Sequence, residues 1–159
     1  MASEDQVETH YATGDSLTDE IAARFLQAGK ELSQLTPRDL APVDEFHIRG
    51  RAATIELAES LEIRPGERVL DIGSGLGGPA RTLAGLKGCK VVGLDLTRAF
   101  CDAATAISRW VGQQDEVEFV HGDATALPFD DHASDAAMTI HAAVNIADKS
   151  AVYAHVRRI

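Results

Sequence analysis

Apolar residues recur at two different spacings in this chain, and the change of spacing divides it in two. Leu17, Ile21, Phe25, Leu26 and Leu32 follow helical spacing. Ser16 or Thr18 can cap that helix, and Asp19 and Glu20 fall in a first turn where the helix dipole favours acids. Thr36-Pro37-Arg38-Asp39 puts a proline at a first helical position, and Pro42 keeps that helix short. A further helix is predicted over 51–61, with Ala53, Ile55, Leu57, Ala58 and Leu61 apolar, and Pro65-Gly66 then marks a turn. Beyond it the pattern becomes short apolar runs alternating with helical ones. Strands are predicted over 68–72, 90–94, 117–121 and 136–140. Helices are predicted from Pro79, over 98–111 with Thr97 as cap and Gly112 as terminator, and from about Asp148 onward.

Strands alternating with helices imply an α/β fold, a Rossmann-like, doubly wound parallel sheet with right-handed crossovers. The expected division is an N-terminal helical cap over 1–62 and a sheet core over 63–159. Ligands of such sheets bind outside the C-terminal strand ends, at the topological switch point. Four candidate residues stand at those ends: Gly73, Asp95, Asp123 and His141.

The stretch Val69-Leu70-Asp71-Ile72-Gly73-Ser74-Gly75-Leu76-Gly77-Gly78 reads as a buried strand running into a glycine turn, with Pro79 to Ala84 as the helix that follows. Such a unit cradles an adenosine cofactor, because glycines admit positive φ and let a ligand approach the main chain. Gly73, Gly75 and Gly78 satisfy the dinucleotide pattern GxGxxG. Asp71, two positions before the first glycine, instead suits a ligand with a cationic amino-acid tail and would repel a pyrophosphate. Asp95, about twenty residues after the turn, is placed to accept from both ribose hydroxyls, which serves either cofactor. Asp123, in Gly122-Asp123-Ala124, can meet an adenine amino group or make a turn with its own backbone.

These runs, with Gly88 to Thr97, Leu127-Pro128-Phe129 and Asn145 to Lys149, resemble class I S-adenosylmethionine-dependent methyltransferases. The similarity is to the methyltransferase type 11 group, which includes ubiquinone/menaquinone-biosynthesis and sarcosine/dimethylglycine methyltransferases. His10-Tyr11 and Asp44-Glu45-Phe46-His47 look like the N-terminal cap of that group. The resemblance implies S-adenosyl-L-methionine as cofactor. It places Asp71, Gly73, Ser74 and Gly75 at the methionine portion, Asp95 and Leu96 at ribose and adenine, and Asp123 and Ala124 at the adenine edge. It implies methyl transfer to a small-molecule acceptor. His141 is the candidate to orient or deprotonate that acceptor, with Tyr11 and His47 lining its side. It also implies sheet order 3-2-1-4, with the family's strands five to seven lacking here. An open edge on strand four is then expected to favour self-association. A nicotinamide-dependent dehydrogenase domain and a non-catalytic cofactor-binding module are the alternatives.

Composition narrows the partners. The 159 residues carry a net charge of −10, with Lys and Arg scattered, so no nucleic-acid face is expected. Two cysteines, Cys89 and Cys101, make neither a disulfide framework nor a zinc site, and no histidine spacing suggests a metal. No apolar run reaches the length of a membrane span, and a cytoplasmic location is the default expectation.

Overall fold

The computed structural model describes residues 16–159, so Tyr11 and His10 lie outside the described residues. Six helices are described: α1 (Leu17–Gln27), α2 (Pro37–Asp44), α3 (Gly50–Ser60), α4 (Gly78–Lys87), α5 (Arg98–Trp110) and α6 (Lys149–Arg158). Four strands, β1 (Arg68–Ile72), β2 (Lys90–Asp95), β3 (Val117–His121) and β4 (Ala136–Met138), form one parallel sheet in the order β3-β2-β1-β4. Central β1 pairs Asp71 with Gly93 of β2 on one side and with Met138 of β4 on the other.

The two sheet faces are covered by different helices. Val69, Val91 and Val117 point to one face and pack with Ala58 of α3 and Ala80, Leu83 and Ala84 of α4. Leu70, Ile72 and Leu94 point to the other and pack with Val152 of α6, Leu127 and Ile159. Covering both faces is what lets β1 read as an apolar run. Burying a side chain such as Leu70, fully enclosed here, contributes about 1.5–3 kcal/mol. A third cluster joins Ile21 and Phe25 of α1 and Leu40 of α2 to Ala103 and Ile107 of α5.

Most element boundaries follow the sequence reading, with four differences. Leu32 is not on the first helix. α1 stops at Gln27, Gly29 turns the chain at φ +74°, and Leu32 begins a separate 3-10 turn. Thr97 precedes α5 but makes no side-chain cap; Asp95 Oδ1 accepts from the Thr97 N–H at 2.9 Å. β4 ends at Met138, two residues early. On α3 the buried positions are Ala58 and the polar Thr54, because Thr54 is hydrogen-bonded to Glu45 inside the core.

Candidate functional site

A cleft of about 570 Å³ opens at the C-terminal ends of the strands. Its floor is the glycine turn. Gly73 lies at φ +75° and donates its N–H to Leu94 O at 2.8 Å. A Cβ on Gly73 would fall 2.1 Å from Ala142 Cβ, so the loop after β4 rests directly on the turn. Gly75 donates its N–H to Asp95 Oδ2 at 2.8 Å. Asp95 thus staples the turn to the start of α5, each oxygen taking one backbone N–H and keeping a lone pair for the cleft.

The third fingerprint glycine has another duty. A Cβ on Gly78 would meet Asp44 O at 2.5 Å, so Gly78 lets the end of α2 dock on α4. Arg81, one turn along α4, is almost wholly buried. It donates to Asp44 Oδ2 at 2.7 Å, to Ser108 Oγ at 2.9 Å and to the carbonyls of Leu76 and Ala104. Burial raises the Asp44 carboxyl against the pull of Arg81, and burial likewise lowers the guanidinium. Neither Asp44 nor Arg81 was singled out as functional by the sequence. The only signal is an arginine two residues past a proline on an otherwise apolar helix start, among small residues.

Asp71 sits behind the turn and is not part of the cleft lining. It is 1% exposed and its Oδ2 has no hydrogen-bond partner. Burial first, then the charges of Asp95 and Glu45, push its carboxyl up to about 7. Ser74 Oγ is a second buried orphan in the turn.

The remaining sequence candidates among the described residues converge on the cleft. Leu96, 54% exposed, and Ala124 line it. Asp123 lines it while its Oδ1 accepts from the Thr125 N–H at 2.7 Å, which holds the carboxyl below its usual range and caps a 3-10 turn over Ala124–Ala126. His141 lies three residues beyond β4, in the left-handed region at φ +59°. Its ring stacks on His47, with centroids 5.7 Å apart and planes at 13°. His47 comes from the α2–α3 connection, so the structure brings together two histidines far apart in sequence. Phe46 and Ile48, flanking His47, line the cleft with their side chains largely exposed. Asp95 and Asp123 bring carboxylates to the cleft lining and no Lys or Arg lines it, while the Asp44 carboxylate is buried against Arg81.

Comparison with known proteins gives a consistent result. A family profile described as a methyltransferase domain matches residues 69–159. Sterol 24-C-methyltransferase of Gibberella zeae is 37% identical over 103 residues, 65% of this chain and 27% of that protein. A methyltransferase of Streptomyces halstedii is 31% identical over 121 residues, covering 76% of this chain and 44% of its own. The chain therefore spans less than half the length of these relatives. Among solved structures, a methyltransferase from Geobacter sulfurreducens in complex with S-adenosyl-L-homocysteine superposes with TM-score 0.60 at 30% identity, over 68% of this chain and 43% of that one. Geranyl diphosphate C-methyltransferase from Streptomyces coelicolor shares the fold at TM-score 0.64 and 23% identity, over 68% of this chain and 40% of its own. The matched region takes in β1, the glycine turn and all later elements, more than half of the chain, and the chain belongs to the methyltransferase-domain family of the class I, S-adenosylmethionine-dependent kind.

Proposed function

We propose that this chain carries the cofactor site of an enzyme that moves a methyl group from S-adenosyl-L-methionine to a small, largely apolar acceptor. One observation carries the reading: the carboxylates of Asp95 and Asp123 line the cleft, no Lys or Arg does, and a further carboxyl, Asp71, lies unpaired behind its glycine floor. That charge pattern suits a ligand bearing a sulfonium and an ammonium, and it disfavours the pyrophosphate of a nicotinamide dinucleotide. The donor set fits the cofactor residue by residue. Gly73, Ser74 and Gly75 hold the methionine portion, with Asp71 as the buried countercharge. Asp95 accepts from the ribose and Leu96 covers the adenine. Asp123 and Ala124 meet the adenine edge.

The bound cofactor supplies an activated methyl group on sulfur. The chain's own residues bind it, exclude water and aim the acceptor. His141 stands on the acceptor side, where an imidazole can orient the acceptor or take its proton. Phe46 and Ile48, both largely exposed on either side of His47 in the cleft lining, favour an apolar acceptor body. The named activity of the sterol methyltransferase agrees with that class.

Calorimetric titration with S-adenosylhomocysteine and, separately, NADH tests the cofactor reading. Binding of the first and none of the second is expected; equal or tighter NADH binding overturns it.

A further inference from the structure

His141 is exposed, and among the described residues no protein group pairs with either of its ring nitrogens. Its backbone occupies a sparsely populated region, at φ +59°. A side chain in that situation has nothing of its own to fix its ring. What it does have is His47, stacked beneath it.

His47 is held on both sides. Its Nε2 lies 3.2 Å from Glu45 Oε2 and 3.1 Å from Thr54 Oγ1, and its Nδ1 lies 3.3 Å from Ile48 O. Whichever nitrogen carries the proton, turning the ring breaks contacts at both. The anchor behind it is firm. Glu45's side chain is fully buried and accepts from Thr54 Oγ1 on α3, and from Thr82 Oγ1 on α4 at 2.9 Å. Arg51 on α3 lies 3.5 Å from its Oε1 and donates to Thr82 Oγ1. Two helices thus converge on one carboxylate whose outward contact is His47.

We propose that His47 is a positioning residue for His141: its flat ring, seated between Glu45, Thr54 and His141, is the platform whose plane holds the His141 imidazole in a single orientation over the acceptor side of the cleft. The proposal rests on the reading of His141 as the acceptor-facing group. Holding a group within a narrow angular range is what makes an orienting side chain effective in an in-line displacement. Stacking suits the task, because it fixes the plane of His141 while leaving both of its nitrogens free.

Two variants separate the platform from its anchor. His47→Phe keeps a flat ring and loses the hydrogen bonds to Glu45 and Thr54. His47→Gln keeps a donor for Glu45 and loses the ring. The readout is the order parameter of the His141 ring, from relaxation of ring-labelled histidine in the whole chain, with S-adenosylhomocysteine affinity measured alongside. In wild type and in the Phe variant the ring is expected to be ordered, near about 0.85, and in the Gln variant to fall below about 0.6. Affinity for S-adenosylhomocysteine should stay within about threefold in both variants, well under the 1.4 kcal/mol of a tenfold change. Should the Gln variant not fold, His47→Leu, apolar but without a plane, takes its place. An ordered His141 ring in the variant that lacks the plane overturns the proposal. So does an equally mobile ring in the Phe variant, or a loss of ring order that comes with loss of S-adenosylhomocysteine binding. Absence of S-adenosylhomocysteine binding in wild type overturns the cofactor reading and leaves the ring-order result to decide this proposal alone.

Discussion

The two ends of the cleft are built in opposite ways. At the glycine turn the work is done by backbone. Gly73 and Ser74 donate to Leu94 O, Gly75 donates to Asp95, and successive glycines take positive φ. All of it lies within thirty or so residues of continuous chain and on one βαβ unit. At the acceptor end the work is done by side chains. His47 and Phe46 come from the α2–α3 connection and His141 from the loop after β4. The first end is rigid because ladders and turns define it. The second is only as well placed as the polar pairs that anchor its segments to the core. Chief among these is Asp44–Arg81, which fastens the residues just before Glu45 to α4.

Breaking that anchor should have the largest effect. Arg81→Ala leaves Asp44 buried without its countercharge, and loss of one partner of a buried pair costs about 3–5 kcal/mol of stability. Urea unfolding measures it. A loss under about 1 kcal/mol would show that the acceptor end does not depend on this pair.

Next comes Asp95, the link between the rigid turn and its ligand. Asp95→Ala should weaken S-adenosylhomocysteine binding by about 2–4 kcal/mol, from two charged hydrogen bonds partly replaced by water. It should also lower the melting temperature of the free protein, because the Gly75 and Thr97 N–H groups lose their acceptor. Unchanged affinity in calorimetry would remove Asp95 from the cofactor site.

A smaller effect follows from Asp71, and it is a pH effect. Burial raises its folded value to about 7 from an unfolded value of 3.8. Between these values the folded state holds a proton that the unfolded chain has released. Stability therefore falls as pH rises from about 4 to about 7. Asp44, raised by burial, contributes in the same direction. Asp71→Asn should flatten part of this slope, read from denaturation midpoints across that range. A cationic ligand near Asp71 favours its charged form, so cofactor binding near pH 6 should release protons. Calorimetry in two buffers of different ionisation enthalpy detects that release. A slope of the same size in the Asn variant would clear Asp71 of the effect.

The smallest change in cofactor affinity is expected at the other end. His141→Ala should leave S-adenosylhomocysteine affinity within about threefold, less than 1 kcal/mol, while lowering turnover of an accepted substrate about a hundredfold. A large loss of cofactor affinity would merge the two ends into one and dissolve the comparison.

How much of this was legible beforehand depended on how local each feature is. β1 and β3 could be read because an apolar run bounded by turn residues and followed by a helix marks a strand of a parallel sheet, whereas the strand order came from the family resemblance. The glycine turn is legible for the same reason, since positive φ at alternate positions, 73, 75 and 77, leaves a mark in composition. Leu32 continues the helical spacing past Gly29, so periodicity alone overruns the end of the first helix. Thr97 was read as a cap because residue type predicts a cap without knowing that Asp95 would reach its N–H first.

The sequence by itself determined the sheet, the turn and the acidic residues at the strand ends, because periodicity and glycine chemistry act over a few residues. Tertiary structure alone decided that Gly78 serves helix docking, that Thr54 is core and that Arg81 is buried against Asp44. It alone decided that His47 lies under His141. The glycine, arginine and histidine contacts join segments thirty or more residues apart, and the burial of Thr54 is tolerated only because Glu45, from the connection before α3, satisfies it. No local pattern encodes such a partner.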